Sequence, residues 1–305
     1  MPRIRTIFEI LKNQVFYVFI AVVGIGAITG VALLISWKSG EAREKNELRR
    51  AFEAGDYGEV YEKSLAALQK KPMDSFFLST NGFASYQMAL SRIDGESAQA
   101  YIDQAIWFLR RALLKKPSRA GQICYVLGKA YYAKSADYAD LAVKYLEAAK
   151  AAGVTALDID EYLGLAYASL KDYRNSIAAY SRLLGASDTA SAPLLIRIAE
   201  SYMGLEDWDN ARAYLTRCLE NVRDADVELN ARLMLGRVLR NSGDSGGAEA
   251  AFNSVLESGE NAEAAYELGE LYTARGETTR ARAAYRRAYR ADPAFAPAQA
   301  RLNTM

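Results

Sequence analysis

Few residues in this chain are placed to do chemistry. Histidine is absent. That removes the commonest general base, the Ser/His and Cys/His nucleophile systems and the commonest metal ligand. The two cysteines, Cys124 and Cys218, have no CxxC spacing, so they build neither a zinc knuckle nor a redox motif. Both read as small hydrophobes packed between helices. Carboxylate pairs such as Asp158 and Asp160 could in principle exchange protons. Their place at the start of a helix is better explained by stabilisation of that helix's N-terminus. The residues point to no catalytic set, no metal and no cofactor, and so to a protein that is not an enzyme.

Composition narrows the class further. With 51% hydrophobic and 25% charged residues the chain folds. Lys and Arg number 38 against 37 Asp and Glu, so no global excess of positive charge argues for nucleic acid.

The elements that would carry a function repeat. A Leu/Ile–Gly/Ala pair, followed three residues later by Tyr or Leu, occurs at Leu127-Gly128, Leu163-Gly164, Ile198-Ala199, Leu235-Gly236 and Leu268-Gly269. The intervals are 36, 35, 37 and 33 residues, the signature of a solenoid. Each unit reads as two antiparallel helices. The first presents the Leu-Gly pair. The second presents Ala105, Ala142, Ala211, Ala248 or Ala281, then a large residue four positions on: Leu109, Leu146, Leu215, Phe252 or Tyr285. Tyr180 takes the large position in its unit. The small residues let helices approach, and the large ones fill the space between neighbouring units. Short polar turns separate the helices at Lys171-Asp172-Tyr173, Glu206-Asp207-Trp208, Gly243-Asp244 and Gly276-Glu277.

This pattern resembles the tetratricopeptide repeat, a 34-residue helix–turn–helix unit. Seven units fit between residues 41 and 293, and residues 294–305 read as a capping helix. The resemblance implies an all-α, right-handed α-α superhelix. Two cysteines two repeats apart are then too distant for a disulfide, which needs Cα atoms within about 7 Å. The chain departs from the family pattern in places. No unit has the signature Trp, and the second unit carries extra residues around Ser91–Ser97, read as a longer loop between its helices.

Ahead of the repeats, residues 15–37 form a run of 23 without one charge. As a helix it would span roughly 34 Å, enough for a bilayer core of about 30 Å. A cleavable signal would have a shorter apolar region and an A-x-A-like site; Trp37-Lys38-Ser39-Gly40 is a poor one. The run therefore reads as an uncleaved, single-pass transmembrane anchor after a short tail, residues 1–14. Gly26 and Gly30 form a GxxxG that could pair two anchors into a homodimer. Indications of orientation conflict. The Lys/Arg count favours repeats in the cytoplasm. The short tail and the acidic residues interleaved after the anchor favour repeats on the extracytoplasmic side of a bacterial cytoplasmic membrane, and that is the expectation.

In tetratricopeptide arrays the first-helix side chains not used in packing line a concave partner-binding face. By register the resemblance assigns Gln122, Tyr125, Lys129 and Tyr132, then Asp158, Glu161 and Leu165, then Ile196, Glu200 and Met203. It continues with Leu233, Arg237, Arg240 and Asn241, and ends with Tyr266 and Glu270. The Lys-x-x-x-Asn used by some family members to grip a C-terminal carboxylate occurs only at Lys171…Asn175, on an inter-helix turn, so no such clamp is expected. The last unit carries a basic stripe, Arg282, Arg286 and Arg290, with only Glu277 and Asp292 close in sequence. Together these imply a membrane-anchored scaffold that binds a peptide or protein in envelope assembly, secretion or protein folding. The architecture is similar to bacterial single-pass repeat proteins that attend the export channel. The alternative is a cytosol-facing receptor or regulator at the membrane.

Overall fold

The structure is a computed structural model describing residues 40–185 and 190–304. Among these residues there are fifteen α-helices and no strand. The expected anchor 15–37, with Gly26 and Gly30, and the tail 1–14 lie outside the described residues. No described helix is long and apolar enough to cross a membrane. The chain divides into two compact units, one ending at Arg119 and the other starting at Ala120.

The first unit holds two helix pairs: α1 (40–54) with α2 (Tyr57–Lys70), and α3 (Ser75–Leu90) with α4 (Gly95–Leu113). Lys45 on α1 binds Glu41 at 2.7 Å and Asp74 at 3.1 Å, and Lys71 binds Glu41 at 2.5 Å. The bonds from Lys45 and Lys71 hold the Glu41 carboxyl at about 2. The expected long loop around Ser91–Ser97 is not there. Only Ser91–Asp94 separate the helices, and the extra residues lengthen α3 and α4 to 16 and 19 residues. Asp94 starts α4 by accepting from the backbone N–H groups of Glu96 and Ser97.

The second unit holds five pairs: α5 (Ala120–Lys134) with α6 (Ala139–Ala151), α7 (Ile159–Ser169) with α8 (Tyr173–Gly185), α9 (Ala192–Gly204) with α10 (Trp208–Asn221), α11 (Ala225–Asn241) with α12 (Ser245–Ser258), and α13 (Ala262–Ala274) with α14 (Thr278–Ala291). A final helix, α15 (Ala296–Thr304), packs on α14 and buries Ala298. Within this unit consecutive helices contact one another, as in a solenoid.

The repeated glycine sets the approach in five of the seven pairs; α9 has Ala199 in its place. A Cβ on Gly128 would lie 2.5 Å from Leu146, and one on Gly164 would lie 2.3 Å from the Tyr180 ring. At Gly236 and Gly269 it would lie 2.4 Å from Phe252 and Tyr285, and at Gly82 it would lie 2.6 Å from Leu109. The large residue thus sits on the glycine of its own unit rather than only between units, and all five are fully buried. In the α7–α8 pair Ser176 takes the position of the small alanine. Its hydroxyl donates to the Gly164 carbonyl at 2.9 Å and lies 3.0 Å from that of Ser201.

The turns repeat as well. In five of the seven pairs a left-handed residue stands one or two positions past the first helix: Gly55, Lys171, Glu206, Gly243 and Gly276 have φ of 85°, 58°, 58°, 90° and 76°. The next residue's N–H reaches back to a carbonyl five residues earlier, as at Asp172 to Tyr167 (2.9 Å) and Asp244 to Leu239 (2.8 Å). Lys171 and Glu206 hold this conformation without being glycine, which costs roughly 1–2 kcal/mol each.

Two stability changes follow. Gly236→Ala is expected to lower stability, because overpacking costs about 1–3 kcal/mol while Ala returns about 1 in helix propensity. Adding Phe252→Leu should recover part of the loss. Lys171→Gly should raise stability by about 0.5–1 kcal/mol. Urea melts read both, and a stabilised Gly236→Ala would contradict the seat described here.

Candidate functional site

The first helices of the second unit, α5, α7, α9, α11 and α13, carry the residues assigned to a partner. At α5–α7 these side chains bind one another. The Tyr125 hydroxyl donates to Asp158 Oδ1 at 2.5 Å, and Lys129 Nζ donates to Asp158 Oδ2 at 2.7 Å. Lys129 also sits 4.6 Å from the Tyr162 ring centroid, whose edge meets Tyr132. Burial works against the Asp158 charge, but the bonds from Lys129 and Tyr125 outweigh it and hold the carboxyl below its usual range. Asp158 flanks the N-terminus of α7, with Asp160 in the first turn, as expected, but it makes no side-chain cap there. Asp160 instead bridges Lys150 on α6 and Arg182 on α8, both at 2.7 Å. Gln122 is exposed, and Glu161 and Leu165 are half-buried.

Between α9 and α11 lies a groove of about 350 Å³ lined by Pro193, Ile196, Arg197, Glu200, Asp226, Val227 and Asn230. Ile196 contributes its edge while belonging to the core, and Met203 packs half-buried against that core. Glu200 is exposed by area, yet the groove walls restrict its hydration, and this desolvation raises its carboxyl pKa. Arg197 makes no hydrogen bond or salt bridge among the described residues.

Tyr180 of α8 extends across Gly164 toward this region. Its side chain is 1% exposed, and burial pushes its phenol above the ordinary tyrosine range, with the charges of Arg197, Glu200 and Glu161 acting on it as well as Tyr132. In the last repeat the equivalent Tyr285 donates to Glu270 at 2.7 Å and lies 2.9 Å from Thr273. The corresponding positions near Tyr180 are Leu165 and Ala168, which offer no side-chain acceptor. The Tyr180 hydroxyl has no bonded partner among the described residues.

Several assigned residues are otherwise engaged. Leu233 is core, 6% exposed, because its register turns it into the packing of the last repeats. Arg237 donates to Glu267 at 2.7 Å and Glu263 at 2.9 Å, and Arg240 also binds Glu267. Glu267 is nearly buried and had no assigned role. Asn241 is exposed at the end of α11. Tyr266 packs on Tyr285 and Phe295, and Glu270 receives both N–H groups of Arg301 at 2.7 and 2.6 Å. These last two residues hold α15 rather than stand open.

The basic last unit is also corrected. Its acids come from neighbouring segments: Glu249 binds Arg275 at 2.5 Å and Arg280 at 2.6 Å, Glu260 binds Arg287 at 3.1 Å, and Glu270 binds Arg301. Of the stripe, Arg286 and Arg290 are exposed without a salt bridge among the described residues, and Arg282 is half-buried.

Two family models describe these helix pairs. One tetratricopeptide repeat model matches residues 196–257 and 233–294, and a second matches 163–189. The chain contains tetratricopeptide repeats. Solved structures share the fold. The C-terminal part of a tetratricopeptide repeat protein from Cytophaga hutchinsonii aligns at 17% identity over 84% of this chain and 98% of that one, with TM-score 0.60. A tetratricopeptide repeat protein from Parabacteroides merdae aligns at 14% over 86% and 98%, TM-score 0.50. Naa15/Naa10 bound to HypK-THB aligns at 16% over 87% of this chain and 39% of that one, TM-score 0.50. No curated protein sequence matches significantly. Tetratricopeptide repeat proteins generally mediate protein–protein interactions, and the fold is typically a non-catalytic scaffold.

Among the internal contacts, Glu249 is testable by pH. Bonds from Arg275 and Tyr272 hold its carboxyl at about 2, below the ordinary 4.5. Its stabilisation is therefore complete above pH 4.5 and disappears as pH falls toward 2. Glu249→Gln should flatten the acid limb of the urea midpoint plotted against pH, and an unchanged limb would show that the cluster contributes nothing.

Proposed function

We propose that this protein is a membrane-anchored scaffold that seats an extended peptide or protein segment on its first-helix face, centred on the α9–α11 groove. The observation that carries this reading is the set of unused hydrogen-bond donors there. The Arg197 guanidinium lines the groove with no bonded partner among the described residues, while Ile196 and Val227 offer apolar contact. Polar groups with no partner beside apolar anchors suit a surface completed by a second molecule. Toward α13 the same face is engaged internally, so the groove is the centre of the proposed contact. The uncharged run 15–37 supports the anchor. We place the repeats on the extracytoplasmic side and the role in envelope assembly, secretion or protein folding.

A photo-crosslinking residue tests the face. Placed at Asn230, it should give a discrete adduct in intact cells that is lost on Arg197→Glu. Placed at Ala178, exposed on α8, it should not. Equal labelling at both positions, or indifference to Arg197→Glu, would refute the proposal.

The side of the membrane is tested by labelling. Ile93 in the short α3–α4 turn is fully exposed, so Ile93→Cys suits an impermeant thiol reagent once Cys124 and Cys218 are replaced. Labelling of intact cells is expected. Labelling only after lysis would favour the cytosol-facing receptor or regulator instead.

A further inference from the structure

The outward face of α4 carries chemistry that the partner-binding reading does not use. The helix buries Ile102, Ala105, Ile106, Phe108, Leu109 and Ala112 on one side. Asp103, Trp107, Arg110 and Leu114 follow at i, i+4, i+7 and i+11, which places them on the other. Trp107 is 52% exposed and Leu114 73%. A single exposed hydrophobe is ordinary, but two on one stripe form a patch.

That patch sits in a block of positive charge. Arg110, Arg111, Lys115 and Lys116 fall within seven residues, and no Asp or Glu occurs between Asp103 and Asp137. Arg110, Lys115 and Lys116 are exposed and make no salt bridge among the described residues. Their charge is therefore uncompensated, unlike that of the last repeat. Asp103 bounds the stripe on its N-terminal side.

We infer that this stripe lies against an anionic lipid surface, with Trp107 and Leu114 entering the headgroup region and the exposed bases Arg110, Lys115 and Lys116 meeting lipid phosphates. An indole and a Leu flanked by Lys and Arg suit that boundary, where apolar and charged groups are both satisfied. Nucleic acid is a poorer fit. The Arg111 guanidinium already sits 4.5 Å from the Trp107 ring centroid, and the Trp107 and Phe108 rings meet at 88°, so the indole is not free to stack a base. Position supports the bilayer too: Glu41, four residues past the uncharged run, binds Lys71, and Arg111 of α4 reaches Met73 two residues on, so the end of α4 lies beside the start of α1. This last argument rests on the anchor proposed above; the charge and exposure arguments do not.

The test uses the full chain with Trp37→Phe and Trp208→Phe, so that Trp107 is the single indole, with circular dichroism checking the fold. The protein is mixed with vesicles of phosphatidylcholine alone or of an equal mixture with phosphatidylglycerol, each carrying brominated acyl chains. Trp107 emission should shift to the blue and be quenched only in the anionic vesicles. Arg110→Glu with Lys115→Glu and Lys116→Glu, all at exposed positions, should abolish the quenching. Flotation separates the two readings. A chain that floats in both lipids while Trp107 stays unquenched keeps the anchor and overturns the stripe. A chain that floats only with anionic lipid in low salt keeps the stripe and overturns the anchor. No flotation in either lipid overturns both.

Discussion

Everything in the second unit depends on how closely two helices of a repeat approach. A glycine on the first helix removes the one carbon that would collide with Leu146, Tyr180, Phe252 or Tyr285 on the second. The large side chain then seats on bare backbone, and its burial fixes rotation and depth together. With that seat set, the remaining side chains of the first helix have a defined direction. The α11 wall of the groove, the ion-pair networks and the placement of α15 inherit their geometry from it.

The first-helix face is divided by what lies across from it. Where the neighbouring first helix offers an acid, the face closes on itself: Lys129 with Asp158, Arg237 and Arg240 with Glu267, and Arg301 with Glu270. Such partly buried pairs add rigidity as much as stability, since desolvation offsets much of their attraction. Around α9 it does not: Glu200 and Asp226 line the groove with Arg197 but form no ion pair with it, and the surface stays open. The contrast between Tyr180 and Tyr285 is instructive. Two phenols in the same seat meet different residues one and four positions past their glycine, and one is bonded while the other has no partner among the described residues.

The helix pairs were legible because their cause is local. Glycine and large residue recur at fixed spacing, and a turn residue precedes each second helix. The α3–α4 turn is shorter than expected although its signal is in the sequence, since Asp94 ahead of Glu96 and Ser97 is an ordinary helix start. The groove was half legible. Pro193 and Asn230 stand six residues before Ala199 and Gly236, as Gln122 and Asp158 stand before Gly128 and Gly164. The fate of Arg237, Arg240 and Glu270 was not legible, because pairing across helices depends on their lateral offset, which no spacing within one repeat encodes. The burial of Leu233 depends in the same way on its neighbours.

The left-handed turns at Lys171 and Glu206 bear on how the array would come apart. Both flank the α8–α9 junction, where the buried cluster is small and built on Tyr180, Leu194 and Ile198. The last repeats share a far larger cluster, closed by α15. In a linear array each repeat is held mainly by its neighbours, so cooperativity breaks at the weakest junction. Amide exchange and proteolysis would then reach the middle of the second unit before its end. The segment opening first would then include the α9 wall of the groove, and the binding region would double as the array's point of local unfolding.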